Sequence, residues 1–199
     1  MTDPKINSIL DEGNRLFLEG KFQQAIEYYD KILDIDPKHM SSLNNKGYAL
    51  SKLKDFTNSM KCYNLALEIC PDDLSVLINK ISSFRKQGNL IEALLICDNI
   101  LKNNSNYNVV LYHKERILFS MNKFDESISC CNLILEDYPD NVDVLFDKAS
   151  NFAMISNFDD ALDLLEHVIS QGIRYKIKAK KSKSFENLSD NVRFQNLIS

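Results

Sequence analysis

The sequence predicts an all-α protein made of five consecutive helix–turn–helix units and a C-terminal capping helical segment. Three observations predict it. First, the chain repeats itself every 34 residues: Pro37 and Pro71 are one period apart, and Pro139 lies two periods further on, with Ser105 at the skipped position. Second, apolar residues recur at spacings of three and four, as in Phe22, Ala25, Ile26, Tyr29, Ile32 and Leu33, the stripe of an amphipathic helix. Third, the 199 residues are 44% apolar but hold only 5 Gly and 4 Pro, enough to bury a core and too few turn formers for a β-sandwich.

The columns of the repeat justify each element in turn. Phe22, Phe56, Leu90, Phe124 and Phe158 open the second helix of each unit, and Ala25, Ser59, Ala93, Ser127 and Ala161 come next as a small-residue column. Tyr29, Tyr63, Cys97, Cys131 and Leu165, then Ile32, Ala66, Ile100, Ile134 and Val168, continue the same buried stripe. On the first helices run Gly13, Gly47, Ile81, Glu115 and Ala149, and Leu43, Leu77, Leu111 and Leu145. Small residues let two helix backbones approach, although bulky Ile81 and charged Glu115 oppose close packing in units three and four.

First helices are expected over 5–18, 39–52, 73–86, 107–120 and 141–154, and second helices over 22–35, 56–69, 90–103, 124–137 and 158–170. Short breaks separate them: Gly20-Lys21, Lys54-Asp55, Gly88-Asn89, Asn122-Lys123 and Ser156-Asn157, with Asp55 and Asn157 placed to cap second helices. Asp36-Pro37, Cys70-Pro71 and Tyr138-Pro139 end second helices, because the residue before proline is pushed out of the α region. Gly172 is expected to end the last one, and Lys102–Asn108 reads as a polar turn.

This period and column chemistry resemble the tetratricopeptide repeat over roughly residues 6–173. The resemblance implies a right-handed α-solenoid with repeats at about 6–39, 40–73, 74–107, 108–141 and 142–173, followed by an incomplete sixth unit at 174–199. Each helix pair cannot bury its own faces, so stacking supplies the core. In this family the first helices line a concave groove that grips an extended peptide or partner helix. The expected function is therefore a non-enzymatic protein–protein interaction scaffold.

Catalytic sets are not evident. His39, His113 and His167 sit in different units without a partner at motif spacing, and no glycine-rich phosphate loop occurs. Asp72-Asp73 and Asp159-Asp160 fall at helix starts, where carboxylates favour the helix dipole. Cys62, Cys70, Cys97, Cys130 and Cys131 show no Cys-x-x-Cys, and read as reduced cysteines. No cofactor or metal is expected. The N-terminus lacks a basic-then-apolar signal pattern and no run reaches membrane-spanning length, so a cytoplasmic protein without a membrane span is expected.

The expected groove residues are Asn14, Asn45, Tyr48, Asn79, Tyr112, His113, Arg116, Phe119 and Phe146. An asparagine amide both donates and accepts, so it can hold the backbone of an extended peptide whatever its side chains. Tyr112, Phe119 and Phe146 beside Arg116 have the composition of an interface hot spot. Asn14 and Asn45 match two positions of the clamp with which chaperone-binding family members hold a C-terminal carboxylate. Leu10, Ser75 and Asn79 stand where that clamp needs cations, which argues against a chaperone tail as partner.

Charge is uneven. Residues 174–199 hold seven basic and two acidic residues, a balance of +5, whereas the first 173 carry −9 within a net charge of −4. The basic end reads first as a solvated cap, and alternatively as a contact for nucleic acid or an acidic surface. A further alternative is self-assembly through the ends of the array, with Ile177, Phe185, Phe194, Leu197 and Ile198 pairing with a second copy.

Overall fold

The computed structural model describes residues 4–103, 105 and 107–199. Of the polar stretch 102–108, Asn104 and Asn106 lie outside the described residues. The described chain runs α1 Pro4–Leu18, α2 Phe22–Ile35, α3 Met40–Lys52, α4 Phe56–Ile69, α5 Leu74–Gln87, α6 Leu90–Asn103, α7 Asn108–Ser120, α8 Phe124–Asp137, α9 Val142–Met154, α10 Phe158–Ser170, α11 Ile173–Lys181, a 3₁₀ turn Lys183–Leu188, and α12 Val192–Ile198. The second helices fall where the apolar stripe placed them. Four of the first helices start one residue late, because His39, Asp73, Tyr107 and Asn141 stay outside as N-caps.

The breaks between first and second helices share one geometry. Gly20, Lys54, Gly88, Asn122 and Ser156, one period apart, all adopt positive φ, from 59° to 87°. The residue after each donates its N–H back across the turn, Lys21 to Leu16 O, Asp55 to Leu50 O, Asn89 to Phe84 O, Lys123 to Leu118 O and Asn157 to Phe152 O, each at 2.9 Å. This is the Schellman ending, in which a left-handed residue lets the chain satisfy the last carbonyls and reverse. Helix starts are capped by side chains: His39, Asp55, Asp73 and Asn141 accept from the N–H three residues on.

Two expectations at helix ends need correction. Asn157 makes no backbone cap; its amide donates instead to the Asp160 carboxylate at 2.7 Å, a charge-assisted partner within reach. Gly172 does not end α10 in a left-handed turn. Its φ of 166° is extended backbone, and it stands as the N-cap of α11.

The described chain divides into two compact units, Met1–Ile96 and Cys97–Ser199. In the first, α1 packs on α2, α2 on α3, α3 on α4 and α4 on α5. Tyr29 and Tyr63 are its largest fully buried side chains, and the first-helix glycines exist to admit them. A Cβ on Gly13 would stand 2.8 Å from Tyr29 Cε1, and one on Gly47 2.7 Å from Tyr63 Cε1. The Ser59 hydroxyl donates to Gly47 O at 2.7 Å, stitching α4 to α3 at the crossing. Overpacking such a contact costs about 1–3 kcal/mol.

In the second unit, α7 packs on α8, α8 on α9 and α9 on α10. Here the column that held glycine holds Glu115, and the column that held tyrosine holds Cys131. Glu115 is 2% exposed and lies against Ser127 of α8, whose hydroxyl donates to its Oε1 at 3.0 Å. A long side chain on the first helix thus accompanies a short one on the second.

A recurring tie joins three of the second helices, α2, α4 and α6, to the first helix that follows. Lys46 pairs with Asp30, Lys80 Nζ donates to Asn64 Oδ1 at 2.8 Å, and Lys114 pairs with Asp98 at 2.7 Å, each one period on.

The C-terminal segment departs from an incomplete sixth unit in which Phe185 and Leu188 end a first helix. α11 stops at Lys181 because Ser182 turns extended, with ψ 125°, and its hydroxyl accepts from Ser184 N at 3.3 Å to start the 3₁₀ turn. Tyr175, Ala179, Phe185, Leu188 and Phe194 then join the core around Phe146, Ala149, Leu162 and Leu165. Phe185 and Phe194, expected to face a second copy, are 1% and 4% exposed, withdrawn by this intramolecular burial. Leu197 and Ile198 are partly buried against the same core, while Ile177 stays exposed. Arg174 lies 4.0 Å from Asp143, Lys178 lies 3.6 Å from Asp147, and Arg193 pairs with Asp163 and Glu166, so part of the basic end is neutralised by the acidic body.

Candidate functional site

The expected groove residues fall into two sets, one in each unit. In the first unit, α1 and α3 bring Asn14, Asn45 and Tyr48 into one shallow cavity of about 200 Å³, completed by Phe17, Leu18 and Tyr29. Asn14 Oδ1 accepts from both the Tyr29 hydroxyl at 3.0 Å and Asn45 Nδ2 at 2.9 Å. Asn79 on α5 donates to Asn44 Oδ1 on α3 at 3.0 Å. The asparagines therefore form two half-buried amide pairs, Asn14–Asn45 between α1 and α3 and Asn44–Asn79 between α3 and α5, which together make the amide row of this face. Phe17 packs on Tyr48 at a centroid distance of 5.1 Å and edge-on to Phe22 at 5.2 Å, giving the cavity an aromatic wall. Leu18 at its rim is 85% exposed.

In the second unit, Tyr112 on α7 lines a shallow cavity of about 390 Å³ with Asn108, Val109, Ile134, Tyr138, Asn141, Asp143 and Val144. The Arg116 guanidinium lies 4.7 Å over the Tyr112 ring and 3.3 Å from Asp147, so its charge is already engaged within the unit. Burial raises the Tyr112 phenol above its ordinary range, opposed by Arg116. His113 is half-buried on the same helix. Phe119 is half-buried edge-on to Phe124 at 5.4 Å.

Phe146 corrects the expectation of an aromatic projecting into the groove. It is 2% exposed and sits between Tyr175 and Phe185 at 6.0 and 5.7 Å, with Lys178 Nζ 4.0 Å over its ring. The C-terminal segment covers the position that an open array would leave bare.

Other titratable groups have structural explanations. Cys62, Cys97, Cys130 and Cys131 are buried, and desolvation pushes every one of these thiols up, Cys130 to about 11 and Cys97 to about 12, which removes the thiolate that redox or nucleophilic chemistry needs. Among the described residues no three His, Cys, Asp or Glu side chains converge as a metal site, and no helix is long and apolar enough to cross a membrane.

Sequence reasoning missed two residues of this face. Lys52 ends α3 and Lys86 lies in the last turn of α5, and their ammonium groups stand 5.1 and 5.7 Å from the Tyr48 ring centroid. The signal was present, since the two lysines are one period apart.

Comparison with known proteins locates this architecture. Residues 16–39 and 41–73 each match a family model described as tetratricopeptide repeat. A tetratricopeptide repeat protein from Parabacteroides merdae superposes with a TM-score of 0.83 at 17% identity, over 98% of this chain and 78% of its own. YrrB, a TPR protein with an unusual peptide-binding site, gives 0.67 at 18% identity, over 87% of this chain and 91% of its own. MamA protein gives 0.69 at 15% identity, over 89% and 95%. At such identities the likeness is one of fold.

Proposed function

We propose that this chain, a tetratricopeptide repeat protein, acts as a non-enzymatic interaction module that binds an extended peptide segment along the first helices α1, α3 and α5. The observation that carries this reading is the amide row of Asn14, Asn45 and Asn79 across α1, α3 and α5, beside the cavity walled by Phe17 and Tyr48. One side of each amide is used internally. Among the described residues, Asn14 Nδ2, Asn45 Oδ1 and Asn79 Oδ1 take no hydrogen bond, which leaves both a donor and acceptors for a peptide backbone. The aromatic wall supplies the apolar contact that backbone bonds alone lack. The similarity to YrrB, whose own peptide-binding site is called unusual, is consistent with this mode.

The test is a synthetic dodecapeptide library selected on the immobilised protein, with affinities of selected peptides read by fluorescence anisotropy. The double variant Asn45→Ala, Asn79→Ala should keep its helical circular dichroism and lose about tenfold or more in affinity, the equivalent of two weakened hydrogen bonds. Full-strength binding by a folded double variant would move the site off this face.

A further inference from the structure

The same face holds an arrangement of charge that backbone recognition does not use. Lys52 Nζ and Lys86 Nζ stand 5.1 and 5.7 Å from the centroid of one ring, Tyr48, and each lies within cation–π range. A basic residue in the last turn favours its own helix dipole, which accounts for a lysine at the end of α3 and another at the end of α5. It does not account for both ammonium groups gathering at one ring, where they repel each other. Burial, then repulsion from Lys52 and from Arg85, holds Lys86 below the ordinary lysine range.

Among the described residues neither Lys52 nor Lys86 has a carboxylate at ion-pair distance, whereas Lys46 of the same helix α3 is paired. In a chain whose acids outnumber its bases 28 to 24, two unneutralised cations over one half-buried ring stand out. The Tyr48 ring that they share also walls the cavity, packed on Phe17 at 5.1 Å and with the exposed Leu18 at the same cavity. An anion that reaches both ammonium groups would relieve their repulsion and gain charge-assisted hydrogen bonds. These cations also lie at other helix positions than Leu10, Ser75 and Asn79, where a carboxylate clamp would need them.

We propose that Lys52 and Lys86 form an anion site at Tyr48 that takes an acidic side chain of the bound peptide, with an apolar neighbour of that side chain seated against Phe17 and Leu18. The inference rests on the peptide-binding reading of this face and specifies the chemistry of the peptide.

The dodecapeptide library tests it. Wild-type protein should enrich Asp or Glu next to a large apolar residue. The best such peptide should bind about tenfold more weakly to Lys52→Met, Lys86→Met, which keeps the stems over Tyr48 and removes the charge. Replacing the peptide's acid by its amide should cause the same loss in wild type, and raising salt from about 50 to about 500 mM should weaken wild type far more than the variant. Lys61→Met, a charge removed elsewhere in the unit, should leave affinity unchanged. Selected peptides without acidic enrichment, or equal binding by the Lys52→Met, Lys86→Met variant, would overturn the anion site. If Asn45→Ala, Asn79→Ala still lost binding, the peptide-binding reading would survive that failure. If no peptide were selected, or neither double variant lost affinity, both would fall.

Discussion

Glu115 shows what one residue does when it breaks a small-residue column. Its carboxyl fills space that glycine leaves to tyrosine in the first unit, accepts from Ser127 Oγ at 3.0 Å and Asn151 Nδ2 at 3.3 Å, and keeps Oε2 buried without a partner. Desolvation, then the nearby Asp147 charge, raises it to about 7; the bonds from Ser127 and Asn151 and the Arg116 charge oppose the shift less strongly. Burial thus favours the neutral acid. Between the unfolded value of 4.5 and about 7 the folded chain binds the extra proton, so this group's contribution to stability falls as pH rises through that window and levels off above it. The full excursion is roughly 3 kcal/mol. Glu115→Gln keeps the shape and an oxygen acceptor without the titration. Urea midpoints taken from about pH 5 to about pH 8 should decline in wild type relative to Glu115→Gln, and parallel profiles would show that the buried acid does not titrate there. The sequence marked Glu115 as out of place, yet the proton it holds depends on Ser127, Asn151 and Asp147 converging around it. A column alignment does not show that convergence.

At the scale of elements, the ten repeat helices were legible almost to the residue, and the reason lies in the turns. Second helices begin at the aromatic column because the break before them is a Schellman ending with one obligatory left-handed residue. Gly20 and Gly88 meet that demand without strain, while Lys54 at φ 65° and Ser156 at φ 62° meet it against their side chains, and Asn122 at φ 59° is of a type that tolerates the region. Glycine relieves that strain and costs part of the gain in unfolded-chain entropy. Lys54→Gly and Ser156→Gly should therefore each stabilise by about 0.5–1 kcal/mol, and Asn122→Gly by close to nothing. Thermal unfolding of the three variants checks the order, and an equal effect at all three would mean that the turn geometry is not what limits these positions. Where the sequence misled, one helix end competed with another partner: Asn157 found Asp160, and Gly172 went to the start of α11 instead of the end of α10.

At the scale of the whole molecule, periodicity explains both what the sequence revealed and what it hid. Asn45 and Asn79 could be singled out because they stand one period apart on the first helices. Phe146 obeys the same column rule and is nonetheless lost to the core, because the non-repeating residues after 173 cover it. Repeat arrays are held by nearest neighbours, so a terminal segment is anchored by whatever apolar side chains it inserts, and here Phe185 is the largest fully buried one it contributes. Phe185→Ala should cost about 3–5 kcal/mol in that local core. The loss should stay where the contacts are: amide hydrogen exchange should accelerate through α9, α10, α11 and α12, while the amides of α1 to α4 keep wild-type protection. The same opening would uncover Phe146 and Tyr175, so binding of a hydrophobic dye should rise with the exchange. Uniform acceleration along the chain would show a single cooperative unit. In that case the C-terminal segment would be a determinant of the global fold and not a local cover over an otherwise complete array.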